Sequence, residues 1–252
     1  MSVETPERAS RGPWLTERDL TALSWIGEQF AVRTDTLGYL LGRLGPDAET
    51  GQTVAASVVR RRVARWEEAG WARRHYLLGR PWVVPTRAGL ALAADAREDR
   101  ADEGLGPFDA WVPTSAATLD HLHLCAVVRL LVEATEPGVI WRSERRVRAE
   151  WRAAGRKGVK HCPDAELLIP AALGARTEWV EVELHRKREG RYADLFTYLP
   201  GGIDVIRWYT PPAMLSWLER TVHKHAGAAH RSTLGQRIIA LPELGTFPGQ
   251  AP

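Results

Sequence analysis

Two cysteines, Cys125 and Cys162, in 252 residues are too few for a disulfide framework or an all-cysteine zinc site. Lysine is almost missing as well: it occurs at four positions, while arginine supplies the remaining 30 of the 34 basic residues. An imbalance of that kind reflects a GC-rich coding sequence before it reflects selection for nucleic acid. No apolar run approaches the ~20 residues that a membrane helix needs. The opening stretch MSVETPERASRG has no apolar signal-peptide core, so the expected location is the cytoplasm. With 44% hydrophobic and 26% charged residues, the composition is that of a folded globular chain.

What is present is unevenly placed. The formal net charge is only +3, yet residues 53–87 carry eight arginines against Glu67 and Glu68, a local +6. Residues 141–160 carry eight Arg and Lys against Glu144 and Glu150, again +6. Basic segments concentrated in a nearly neutral chain point to phosphate-facing patches, although solvated helix faces would give the same count.

Thr16, with Glu17 and Asp19 behind it, is a helix start, and Leu20, Leu23, Ile26 and Phe30 continue its apolar face. A second helix is expected over Thr34–Gly42 and a third over Thr53–Ala69. The third puts Ala55, Val59, Val63 and Trp66 on one stripe and Ser57, Arg60, Arg61 and Ala64 opposite, with Gly70 as its stop. Trp71–Tyr76 and Pro81–Pro85 read as a hairpin, and Thr86 starts a fourth helix; Trp66, Trp71 and Trp82 are expected to pack this part. The order of helices and hairpin, together with VVRRRVARWEEAGWARRHYLLGRPWVVPTRAGLAL, resembles the winged helix-turn-helix superfamily across residues 14–95. The resemblance implies binding to double-stranded DNA: Ser57, Arg60, Arg61 and Arg65 would enter the major groove, and Arg73, Arg74 and Arg80 would meet the backbone from the wing. Such modules also serve in protein interaction.

Residues 96–113 are acidic and then Gly/Pro-containing, the composition of a linker between separately folding halves. Beyond it, over 114–226, the pattern alternates. Ser115–Ala134 is a helix, and Gly138–Arg142, Asp164–Ile169 and Glu178–Leu184 are strands. Glu189–Leu199 is a second helix, Ile203–Tyr209 a further strand and Pro211–Val222 a last helix. Residues 227–252 have little periodicity and are expected to be a peripheral extension. The fold class is therefore α/β, an α+β arrangement overall, with an α-β-β-β-α-β second domain.

In EWVEVEL, Trp179, Glu181 and Glu183 face one way and Val180, Val182 and Leu184 the other. Asp164 opens the preceding strand, so Asp164, Glu181 and Glu183 are candidate ligands for Mg2+ or Mn2+, with Lys187 and His161 in support. In the surface alternative, Asp164 caps a turn and the glutamates pair with Arg186, Lys187 or Arg191. His121 and His123, two apart on a helix, cannot face one side, and are not expected to form a metal pair.

HCPDAELLIP followed by EWVEVELHRK is similar to the PD-(D/E)XK nuclease fold. Joined to the first domain, and with Tyr192 and Tyr198 in the next helix, it looks like the replication-relaxation family of plasmids and integrative elements. That resemblance spans residues 14–222. It implies a role in replication or mobilisation, with DNA, replication or conjugation proteins and a second copy of the chain as partners. It makes Asp164 and Glu181 metal ligands and expects lysine two residues past the acid. Position 183 is glutamate instead, and shifting the register offers Glu183 and His185. Either Lys187 has taken over the lysine's role or the fold persists without cleavage, as an accessory DNA-binding regulator.

Overall fold

The computed structural model describes residues 15–45, 53–98, 115–156, 161–229 and 233–241. The first part runs α1 (Glu17–Glu28), β1 (Val32–Arg33), α2 (Thr34–Arg43), α3 (Ala56–Glu68), β2 (Ala72–Leu77), β3 (Arg80–Pro85) and α4 (Arg87–Glu98). The second runs α5 (Ala116–Thr135), β4 (Ile140–Ser143), α6 (Glu144–Ala153), β5 (Ala165–Ile169), β6 (Arg176–Val182), α7 (Glu189–Tyr198), β7 (Val205–Thr210), α8 (Leu215–Ala228) and β8 (Gly235–Ala240). All but the first three residues of the expected 96–113 linker lie outside the described residues.

The helices of the first part close on Leu23, Ile26, Leu37, Leu41, Val59, Val63 and Trp66, and β1-β3-β2 form a small antiparallel sheet beside them. The spacing of Thr86 and Gly89, three residues apart where α4 begins, has a steric cause. The Thr86 hydroxyl donates to the Gly70 carbonyl and accepts from Gly89 N at 3.1 Å. A Cβ at Gly89 would meet the Trp71 carbonyl oxygen at 2.0 Å, so only glycine lets α4 pass that close to the strand.

Asp19 sets the roll of α3 against α1. Its side chain is fully buried. One oxygen accepts from Thr16 N at 3.0 Å and Thr16 Oγ1 at 2.6 Å; the other accepts from Arg62 at 2.6 Å and Trp66 Nε1 at 2.9 Å. Burial alone would raise its pKa, but the Thr16 bonds, the Arg62 charge and the Trp66 bond hold it below the usual carboxylate value. Its contribution to stability is therefore complete above the unfolded value of ~3.9 and lost as pH falls through the lower folded one. Asp19→Asn is expected to cost ~3 kcal/mol or more in urea unfolding at neutral pH, because Arg62 and Trp66 keep buried donors facing an amide. The difference from the parent should shrink below pH ~4. An equal difference at both pH values would contradict the assignment.

The larger sheet has the order β4-β5-β6-β7-β8. Its first three strands are antiparallel neighbours, while β6–β7 and β7–β8 are parallel. Helices α7 and α8 cover one face through Tyr192, Leu195, Phe196, Leu218 and Val222 on Trp179, Ile206 and Trp208. Helix α5 covers the other, with Val128 and Val132 on Leu167, Val180 and Val182. The split of EWVEVEL between two faces is thus realised, and the chain is a mixed α/β fold.

Two departures from the sequence reading change the organisation of the chain. The stretch expected as a peripheral extension after residue 227 contains β8, the edge strand of the sheet. Helix α5 also belongs to both parts. Its Ala126 and Leu130 complete the first core, and its Leu119 and Leu122 pack with Ala31, Trp82 and Val84. A polar seam follows the same helix. Arg129 bonds Glu28 at 2.9 Å and Glu133 at 2.7 Å, with its guanidinium 4.7 Å over the Trp25 ring. On α6, Arg145 donates to the Gly27 carbonyl at 2.7 Å. This sharing argues against the separate folding expected from composition.

Candidate functional site

Two regions gather chemistry-bearing side chains. The first is α3 with the β2–β3 hairpin. Val59, Val63 and Trp66 are buried and Arg62 is tied to Asp19, which leaves Ser57, Arg60, Arg61 and Ala64 exposed and Arg65 half-buried. On the hairpin Arg73 and Arg80 are exposed, whereas Arg74 turns back to Glu67, bonding it from its backbone N and its guanidinium, each at 2.8 Å. Arg74 is thus held inside the fold. Arg60, Arg61, Arg65, Arg73 and Arg80 have no acidic partner among the described residues. Leu78 and Gly79 turn the hairpin, both with positive φ (52° and 70°), which leaves Tyr76 and Leu78 exposed near its tip. A cleft of ≈ 410 Å³ lies between α2, the start of α3 and the hairpin, with Asp35, Tyr39, Arg60 and Tyr76 in its walls.

The second basic segment is different in kind. Arg142 pairs with Glu150 and Glu166, Arg146 with Glu150 and Arg148 with Glu144, while Arg145 is buried against the first part. Much of its charge is consumed inside the fold.

The second region lies where β5 begins and β6 ends. The register Ala165↔Val180 sets Asp164 beside the end of β6. The Asp164 backbone is pinned from both sides: its N donates to the Val180 carbonyl at 3.1 Å and its carbonyl accepts from Glu144 N at 3.0 Å. One carboxylate oxygen accepts from Val182 N at 2.7 Å, and the other is 2.9 Å from His121 Nε2. Glu181, 3% exposed, pairs with His161 Nε2 at 2.7 Å; Glu183, 2% exposed, pairs with Lys187 Nζ at 3.0 Å.

These charges act on one another. Burial raises the pKa of Asp164, but the His121 charge and the Val182 N–H more than offset it, so Asp164 is held ionised. Burial raises Glu181, opposed by His161 and reinforced by Asp164, and the net direction is up. Burial raises Glu183 too, with Lys187 opposing. Lys187 is lowered by burial and raised more by Glu183, Glu181 and Asp164. Two neighbouring carboxylates pushed in opposite directions are the pattern of an acid/base pair.

His121 is held up at about 12, by Cys125 first and then by Asp164, against burial. Burial pushes the Cys125 thiol up to about 11, so the sulfur is uncharged at neutral pH and Asp164 is the lasting ionic partner. Among the described residues, the His, Cys, Asp and Glu side chains that converge as a set are His121, Cys125 and Asp164, with ligand atoms within 4.8 Å of one another. Glu181 and Glu183 stand outside that set, each on its own basic partner.

No family model, curated protein or solved structure matches the chain.

The geometry brings Asp164, Glu181, Glu183, Lys187 and His161 to one end of the sheet, with Glu181 and Glu183 each on a basic partner rather than grouped with Asp164 as one set of ligands. His121 and Cys125 are the additions. A signal existed for them, since histidine and cysteine four apart on a helix share a face. His123, weighed beside His121, is instead buried against Thr36 at 3.3 Å. Among the described residues no helix is long and apolar enough to cross a membrane.

Proposed function

We propose that this chain is a DNA-binding protein that presents α3 and the β2–β3 hairpin to the duplex and acts on the phosphodiester backbone at the end of the large sheet. The observation that carries the reading is selective pairing. In one basic stretch, Arg62 and Arg74 are tied to Asp19 and Glu67, while Arg60, Arg61, Arg65, Arg73 and Arg80 are left available to phosphate and base edges. The element order of the first part, α1-β1-α2-α3-β2-β3-α4, supports the winged-helix reading. Three antiparallel strands followed by a crossing helix and a parallel strand are the order of the PD-(D/E)XK fold, which favours the replication-relaxation resemblance and its setting in plasmid or integrative-element replication.

Cleavage is favoured over a purely accessory role by the position of Lys187. Its ammonium reaches Glu183 and its charge acts on Asp164 and Glu181, which answers the glutamate at the position where lysine was expected. In this reading the His161–Glu181 pair takes a proton from the attacking water, and Lys187 meets the charge that develops on phosphate. An all-oxygen Mg2+ or Mn2+ centre does not fit the residues as arranged, because Glu181 and Glu183 are engaged by His161 and Lys187 and the converging donors include nitrogen and sulfur.

Incubation of the full chain with supercoiled plasmid, with Mg2+, Mn2+ or Zn2+ against EDTA, tests the chemistry. Nicking is expected in at least one metal and should be abolished by Asp164→Asn and by Glu181→Gln, with DNA affinity unchanged. Plasmid left intact under every metal would remove the cleavage reading.

A further inference from the structure

His121 and Cys125 are one turn apart on α5, and Asp164 meets them from the start of β5. His121 Nε2 is 2.9 Å from Asp164 Oδ1 and 3.5 Å from Cys125 Sγ, and all three donor atoms lie within 4.8 Å of one another. We propose that His121, Cys125 and Asp164 bind a divalent transition-metal ion of the zinc class, leaving one coordination position open. This goes beyond the DNA reading and does not rest on it.

The donor chemistry selects the ion. Thiolate and imidazole favour Zn2+, Co2+ and their neighbours, whereas Mg2+ and Ca2+ take oxygen. Tetrahedral bonds of ~2.0–2.3 Å place donor atoms roughly 3.4–3.6 Å apart. The sulfur–nitrogen distance already has that value, and the nitrogen–oxygen pair has to open by about half an ångström as an ion replaces the shared proton.

The surroundings suit the ion as well. Asp164 is oriented by the Val182 N–H on its second oxygen and by backbone bonds at both its ends, the kind of support that fixes a ligand's direction. Cys125 is buried, while the side chains of His121 and Asp164 are 29% and 14% exposed, so one side of the group reaches solvent. Three protein ligands and an open side are the arrangement of a reactive rather than a purely structural centre. On binding, the Cys125 S–H and the His121 N–H give their protons to the buffer as bonds to the metal form, and no redox change is involved.

The test is an anaerobic titration of the metal-free full chain with Co2+, without DNA, so that its outcome is separate from that of the plasmid assay. The expected result is one Co2+ per chain, with a thiolate-to-cobalt charge-transfer band in the near ultraviolet and visible bands of four-coordinate intensity. Zn2+ should displace the colour and millimolar Mg2+ should not. Cys125→Ser should remove the charge-transfer band, while Cys162→Ser, at the chain's other cysteine, should keep it. His121→Gln, at a half-buried position, should weaken binding ~100-fold or more, at or beyond the upper end of what losing a supporting hydrogen bond costs. A folded chain that gives no charge-transfer band, a band that depends on Cys162, or an affinity that His121→Gln leaves unchanged would each overturn the proposal. Should Cys125→Ser not fold, the Cys162→Ser and His121→Gln results decide.

Discussion

Arg207→Ala is expected to lose ~3–5 kcal/mol of unfolding free energy, the range found when one member of a buried ion pair is removed. Arg207 lies in β7 between two other strands and is 2% exposed, and Glu178 beside it is completely buried. Its guanidinium bonds Glu178 on one side and both carboxylate oxygens of Glu136, just past α5, on the other. Burial raises the Glu178 pKa, but the bonds from Arg207 and Arg176 outweigh it and hold the carboxyl below its ordinary value. Without Arg207, Glu178 keeps, among the described residues, the partly exposed Arg176 as its basic partner. The double variant Arg207→Met, Glu178→Leu is expected to lose much less, since the charges it leaves behind, Glu136 and Arg176, are partly exposed and can be solvated. Urea unfolding checks both, and an alanine variant within ~1 kcal/mol of the parent would mean that the network contributes no more than a surface pair.

Arg129→Ala should have an effect of similar size and wider reach. It removes a buried guanidinium from Glu28, Glu133 and the Trp25 ring at once, at an expected ~3–5 kcal/mol. Because α5 contributes Ala126 and Leu130 to one core and Val128 and Val132 to the other, the whole chain is expected to unfold in one transition. Far-ultraviolet circular dichroism and tryptophan fluorescence should move together to a lower midpoint in the variant. Two separated transitions, with only one of them shifted, would restore two independent domains.

The sequence carried much of this fold because its short-range patterns are strong. Val59, Val63 and Trp66 repeat at helical spacing, EWVEVEL alternates strictly, and Gly70, Thr86 and Gly89 punctuate the chain where the backbone needs them. It carried less where the cause is distant. β1 is two residues long, and its pairing with β3 is what makes it a strand. β8 is a half-buried edge whose apolar residues sit in no clear alternation. The double burial of α5 was partly written in the near-continuous run from Leu119 to Val132, since a helix apolar all round has neighbours on every side. The acidic stretch before it pointed the other way.

The same division runs through the candidate sites. The exposed Arg60 and Arg61 follow from helical spacing alone. The loss of Arg74 to Glu67 needs the hairpin folded back on α3. Asp164, Glu181 and Glu183 were legible as acids on adjacent strands, with His161 and Lys187 near them, but the partner of Asp164 was not. Pairing Asp164 with His121 depends on how α5 crosses the sheet end, and local periodicity holds no record of that.

That α3 and the hairpin face DNA is the central claim. Fluorescence anisotropy of a labelled duplex, titrated with the full chain across a salt series, measures it directly. For Arg60→Ala, Arg61→Ala the slope of log affinity against log salt is expected to become shallower by about 0.9 for each phosphate that is no longer neutralised. A further ~1–3 kcal/mol should disappear for any base that one of these arginines reads. Affinity and slope identical to those of the parent chain would contradict it.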